Sequence, residues 1–324
     1  MPYPLLKAIA AAVVLLGTAV APSAQDFPTK SITWIVPYTP GGITDTRARQ
    51  IGEVLAEELG QTVLIENRPG AGGTVGLGAA ARSRPDGYTV VYGTLGTLAA
   101  APSLYKDLPY NPLEDFVPIH MMANSNLTVI AHPDRPYNTL AELAAYAKEH
   151  PGEVTVGLSG IGTMTHLASE LFMNTAGIEM LKVPYQGSSP AMTDLVGGRL
   201  DVVFDYQVST QGHFDAGSVK ILGVTSPERM EAFPDAPTMA ESGFGDATTG
   251  SWAGLYAPAG TPPEVVAILT DAFDKAMKSD TITTELMKSG SEPLDMDGQE
   301  MTDFLAKELE TWTRVIKDAG ISQN

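Results

Sequence analysis

The sequence predicts an α/β fold built from two Rossmann-like units, and three observations carry that reading. Short β-branched or aromatic runs (SITWIVPY, TVLIENR, YTVVYG) alternate with helical periodicity, the grammar of βαβ units on a parallel sheet. The alternation restarts after an irregular, proline-bearing stretch, SLYKDLPYNPLEDFVPIH, so the unit occurs twice. Two lone strands that run into prolines, NLTVIAHP and WAGLYAPAG, read as hinge crossings between the units.

In the first unit, residues 44 to 59 place Ala48, Ile51, Val54, Leu55 and Leu59 on one helical face and stop at Gly60. The second unit runs through the helix 139–148, the strand VTVGLSG, the helix 163–176, the strand MLKVPY, a short helix from Pro190, and the strands DVVFD and VKILGVTS. The stretch PERMEAFPDAPTMAESGFGDATTG, dense in turn residues, is a long connection. Two helices close the chain, one from a Thr261-Pro262-Pro263 cap to about Met277 and one over 298 to 318. The implied division is residues 25–124 with 246–324 as one domain and 125–245 as the other.

Composition narrows the function. A formal net charge of −18 over 324 residues and a pI near 4.5 exclude a nucleic-acid partner, which needs clustered Lys and Arg. Residues 1–24 carry Lys7, an apolar run from Ala8 to Val20 and small residues at the end (Ala21, Ser23 or Ala24 as the last), the layout of a secretory signal. That run is short for a membrane span. The absence of cysteine removes disulfides, thiolate metal sites and a cysteine lipid anchor, so a soluble exported protein is expected.

Three loops that follow strands could carry chemistry, at the end where open parallel sheets bind ligands. In VPYTPGGITDTRAR, Tyr38, Gly41, Gly42, Thr44 and Asp45 surround a helix start; two adjacent glycines serve either a φ > 0 turn or the close approach of an anion to the backbone. In GLSGIGTMTHLASELF, Thr163 is the expected N-cap, Met164, Leu167, Ala168, Leu171 and Phe172 form the buried face, and the helix start is aimed at Ser159, Gly160 and Gly162. His166 falls off that face and reads as a half-exposed structural histidine; with Glu170 it has metal spacing, but no third ligand follows. In VPYQGSSPAMTDLVGGRLD, Ser189 before Pro190 is the expected cap, and Asp205 closes the next strand, either capping a turn or touching a ligand. No nucleophile elbow, phosphate-binding loop, dinucleotide fingerprint or HExxH is complete.

With these residues in view, the chain resembles the periplasmic substrate-binding proteins of tripartite tricarboxylate transporters, the Bug receptors. The resemblance runs through IVPYTPGGITDTRAR, VLIENRPGAGGTVG, DGYT, GLSGIGTMTHLASELF, VPYQGSSPAMTDLVGGRLDVVFD, GVTSPER, PTMAESG and WAGLYAPAGTPP. It implies a type II periplasmic-binding-protein fold, a two-domain Venus flytrap that holds a small carboxylate through backbone amides and ordered waters. It also implies no cofactor, no metal, a monomer in the periplasm, and membrane permease subunits as partners. The ligand residues it implies are Tyr38, Gly41, Gly42, Asp45, Ser159, Gly162, Thr163, His166, Tyr185, Gly187 and Asp205, to which the reading of the first helix start adds Thr44. Tyr38 stands where family members often have Phe, and Ile161 where they often have a polar residue. The alternative is an exported hydrolase using a loop serine and His166 with an acidic partner.

Overall fold

The computed structural model describes residues 27–321, so the secretory-signal reading of residues 1–24 lies outside the described residues. The first βαβ units form where the apolar runs predict strands: β1 (Ile32–Val36), α1 (Ile43–Leu59), β2 (Val63–Asn67), α2 (Thr74–Ala81), a helix the sequence reading did not name, and β3 (Thr89–Thr94). Helix α1 buries Ala48, Ile51 and Leu55 and ends at Gly60 in the left-handed region (φ 63°), which only glycine enters at little cost. A π-helical turn, Leu95–Ala100, and the short α3 (Ala101–Leu104) follow.

The next strand, β4 (Phe116–Ala131), corrects the sequence reading twice. NLTVIAHP is not a lone strand but the second half of a 16-residue one, and the stretch read as irregular supplies its first half. Pro118 hid this, because proline cannot donate to a ladder; here it sits where the β4 register shifts, between Pro118 and His120. Beyond it come α4 (Leu140–Glu149), β5 (Thr155–Leu158), α5 (Met164–Ala176), β6 (Leu181–Pro184), α6 (Ser188–Val196), β7 (Val202–Tyr206), α7 (Gln207–Asp215) and β8 (Lys220–Val224). The chain closes with β9 (Gly250–Pro258), α8 (Pro263–Lys278), α9 (Asp280–Lys288), β10 (Ser291–Pro293) and α10 (Gly298–Asp318). The sequence reading omitted α7, which buries only Gln207 and Thr210 and so shows no apolar stripe, and the short α9, which rests on Ile282 and Leu286.

The strands order as β2-β1-β3-β9-β4-β7-β5-β6, with β8 and β10 also on β4. In the first half-sheet β1 runs parallel to β2 and β3, and β9 lies antiparallel between β3 and β4. In the second, β5 runs parallel to β6 and β7, and β4 lies antiparallel between β7 and β8. Strand β4 belongs to both: up to Asn126 it pairs with β9, and from Leu127 onward with β7 and β8. The return passes through Thr249, whose N–H donates to Thr225 O before β9 starts at Gly250. WAGLYAPAG is therefore inside the first half-sheet, not a crossing.

Candidate functional site

Between the two half-sheets lies a narrow cleft. Four helices begin at its wall, and their N-cap residues, Gly42 (α1), Thr163 (α5), Gly187 (α6) and Tyr206 (α7), all line it. None of the four supplies a side-chain cap. Each helix thus keeps first-turn N–H groups without intrahelical partners, together with the positive end of its dipole. The sequence produces this in two ways. Glycine at two caps has nothing to cap with, and the Thr163 hydroxyl, expected to cap, instead donates to Gly160 O at 2.7 Å. Ser189 is not a cap either: α6 starts one residue earlier, and Ser189 Oγ donates across the cleft to Pro40 O at 3.0 Å.

The side chains on the wall are hydroxyls and apolar groups. Thr39, Ile43 and Thr44 come from the start of α1, Thr94 from the end of β3, Ser159, Met164 and Thr165 from around α5, Ser188 from α6 and Ser251 from β9. Among the described residues no Asp, Glu, Lys, Arg or His lines the cavity. Tyr38 places its hydroxyl 3.3 Å from Thr94 Oγ1 and 3.4 Å from Gly72 O, and burial pushes its phenol up to about 12, so it stays neutral. Thr39 Oγ1 is buried without a partner.

Of the residues expected from sequence, Tyr38, Gly42, Thr44, Ser159, Thr163 and Gly187 line the cleft. The others stand behind it. Only Gly41 has the positive φ (89°) that the paired glycines suggested; Gly42 is extended at φ −84°. Gly41 N–H donates to Asp45 Oδ2 at 2.9 Å, and Arg49 closes on the same carboxylate at 2.8 Å. Burial alone would raise the Asp45 carboxyl, but the Arg49 and Gly41 hydrogen bonds outweigh it and hold it below its ordinary value. His166 is not half-exposed but fully buried. Its Nδ1 accepts from Gly162 N–H at 3.1 Å, so Nε2 carries the proton and donates to Glu170 at 3.1 Å, which Lys182 also meets at 2.6 Å. Both ring nitrogens are engaged, and a metal has no lone pair to take. Tyr185 donates to Asp194 at 2.6 Å and lines an adjoining hollow with Ile161, Tyr105 and Gly72. Asp205 lies fully buried beneath Ser188.

Sequence reasoning missed Thr39, Ile43, Thr94, Met164, Thr165, Ser188, Tyr206 and Ser251. Most adjoin residues it named. Thr94 was findable as the C-terminal end of a third parallel strand, whereas Ser251 carries no local signal.

Residues 47–321 match the model of the tripartite tricarboxylate transporter family receptor. The chain belongs to that receptor family. Protein BugT of Bordetella pertussis is 34% identical over 317 residues, covering 98% of this chain and 97% of BugT. The structure of R. palustris Rpa4515 with adipate is 35% identical with a TM-score of 0.87, over 91% of this chain and 99% of that one. MatC (Rpa3494) from Rhodopseudomonas palustris with bound malate is 33% identical with a TM-score of 0.84, over 90% of this chain and 100% of that one. The fold is that of periplasmic binding proteins, and the family is one of solute receptors, which sets the hydrolase aside.

Two charge clusters in this receptor lie outside the cleft wall. Arg47, 5% exposed, is one turn beyond Thr44 on α1 and donates to Ser125 Oγ at 3.2 Å and Ser291 Oγ at 2.6 Å. Among the described residues no carboxylate pairs with it. Ser125 is registered opposite Ser251, so an uncompensated cation sits under the cleft floor. Elsewhere, His120 Nε2 lies 3.3 Å from Asp274 and 3.5 Å from Asp295, a grouping with metal-ligand spacing. Lys278 already bridges both carboxylates, at 2.6 and 3.3 Å, and makes it an ion-pair network. Among the described residues no helix is long and apolar enough to cross a membrane.

Proposed function

We propose that this receptor captures a small carboxylate in the cleft and delivers it to the permease of a tripartite tricarboxylate transporter. The observation that carries the reading is the convergence of four uncapped helix N-termini on a wall free of acidic side chains. Such a wall offers N–H and O–H donors to an anion. Adipate in Rpa4515 and malate in MatC fit the same class. The ligand contacts are Tyr38, Gly42, Thr44, Ser159, Thr163 and Gly187, with Gly41, Asp45, Gly162, His166, Tyr185 and Asp205 shaping the loops behind them. The two lobes, residues 25–124 with 246–324 and residues 125–245, close over the ligand, and residues 1–24 direct the chain to the periplasm as a soluble monomer.

A ligand at a hundred times its Kd stabilises the folded state by about 2.7 kcal/mol, a clear rise in Tm in a screen of di- and tricarboxylates, hydroxy acids and aromatic acids. A rise with neutral or cationic compounds alone sinks the proposal. Arg47 gives a second test. Arg47→Met should weaken a dicarboxylate about tenfold, or ~1.4 kcal/mol, while Arg47→Lys retains most of the affinity. Calorimetry at two salt concentrations reads this, and equal affinity in Met and wild type removes Arg47 from binding.

A further inference from the structure

Ser188 differs from the other hydroxyls on the cleft wall. Its Oγ lies 2.9 Å from Asp205 Oδ1, an oxygen that also accepts from Tyr206 N–H at 2.8 Å. A carboxylate can only accept, so the single proton of Ser188 is committed to Asp205. The Ser188 oxygen receives no hydrogen bond from any described residue, yet it lines the cleft. Thr163, whose proton is likewise committed, has Ser159 Oγ at 3.3 Å and Thr165 Oγ1 at 2.9 Å to fill its lone pairs. Ser188 is the wall hydroxyl whose proton is held by a carboxylate, so it presents a fixed acceptor to the ligand.

Asp205 is an unusual support for such an arrangement. It is 0% exposed, no cation pairs with it among the described residues, and its Oδ2 has no partner. Burying an acceptor this way is unfavourable, and the contact it secures is the orientation of the Ser188 hydroxyl. A carboxylate oxygen set against Ser188 would meet lone pair with lone pair.

Resting on the carboxylate reading above, we infer that the ligand carries a hydrogen-bond donor, a hydroxyl or an ammonium, within an atom or two of its carboxylate, and that Ser188 selects for it. The proximity follows from position: Ser188 is the first residue of α6, next to the Gly187 cap whose helix mouth receives the anion. A site built to hydrogen-bond a ligand hydroxyl or N–H group discriminates strongly against the analogue that lacks it.

Three dicarboxylates of equal length test this by calorimetry: succinate without a donor, malate with a hydroxyl, aspartate with an ammonium. The wild type should bind malate or aspartate at least tenfold more tightly than succinate, and the tighter of the two identifies the donor. Ser188→Ala should abolish the preference by weakening the donor-bearing ligand while leaving succinate within about threefold. Equal or tighter binding of succinate by the wild type overturns the inference alone, as does a Ser188→Ala loss that is the same for all three. Should a different carboxylate be the one that raises Tm, it and its α-hydroxy derivative replace the set under the same criteria. Binding of no carboxylate removes the underlying reading and this inference with it.

Discussion

Gly187→Ala should weaken carboxylate binding at least a hundredfold and leave Tm almost unchanged. Gly187 has an extended backbone (φ 165°, ψ 178°) that alanine adopts without strain, so the fold itself loses nothing. A Cβ there, however, would stand 1.9 Å from Thr39 Oγ1 and 3.1 Å from Thr39 Cβ, on the far side of the cleft. The lobes touch as tightly elsewhere: a Cβ on Gly72 would meet Ile161 O at 2.0 Å, and Tyr105 donates to that carbonyl at 2.8 Å. An extra methyl at Gly187 therefore holds the walls apart and pulls the N–H groups of α6 away from those of α1. Calorimetry with the carboxylate found in the melting screen reads the affinity, and solution scattering reads the compaction. Affinity within threefold of wild type would mean that closure tolerates the methyl group.

Asp205→Asn should make the ligand-free protein more stable at neutral pH by about 3 kcal/mol, an advantage that disappears in acid. Burial raises the Asp205 carboxyl from 3.8 to about 6, against the lowering effect of Tyr206 N–H and Ser188. The folded state therefore holds that proton more tightly than the unfolded chain does. The resulting destabilisation is fully present above pH ~6 and is relieved as pH falls from about 6 towards 3.8; a pKa displaced over that interval costs about 3 kcal/mol. Asparagine has no charge to desolvate, and it keeps an oxygen to accept from Ser188 and from Tyr206 N–H. Denaturant midpoints of variant and wild type at pH 7.5 and 4.5 test this. A gap of the same size at both would show that the carboxylate is not the source.

How far the sequence could be read depends on the range of the interactions involved. Helix α1 was legible to within a residue because its apolar spacing and Gly60 are local, and so were α5, α8 and α10. Strand β4 was not, since the bulge that accommodates Pro118 depends on β9, a strand more than a hundred residues away. The same boundary runs through the cleft. Gly42, Thr44 and Ser159 sit on loops whose composition announces a helix mouth, but whether Thr163 caps or turns aside is decided by Gly160 O, and whether His166 is exposed is decided by Glu170 and Lys182. Ser188 was passed over for Ser189 because Pro190 marks a helix start but does not fix the first residue. Arg47 falls within the apolar arc of α1, between Val54 and Ile51 in projection, but its partners Ser125 and Ser291 depend on pairing across the fold.

The shared strand also imposes an order of assembly. Everything that pairs with the second half of β4 lies between residues 116 and 225, so that half-sheet is complete in the chain before β9 emerges. The first half-sheet is not. β3 has β1 on one side, but its other edge, and the first half of β4, wait for β9 at residues 250–258. Until those nine residues arrive, two largely buried strands expose unpaired N–H and C=O groups to any other chain nearby. The middle of this receptor can fold as it is made, while its beginning must stay unaggregated until the last quarter of the polypeptide comes back to it.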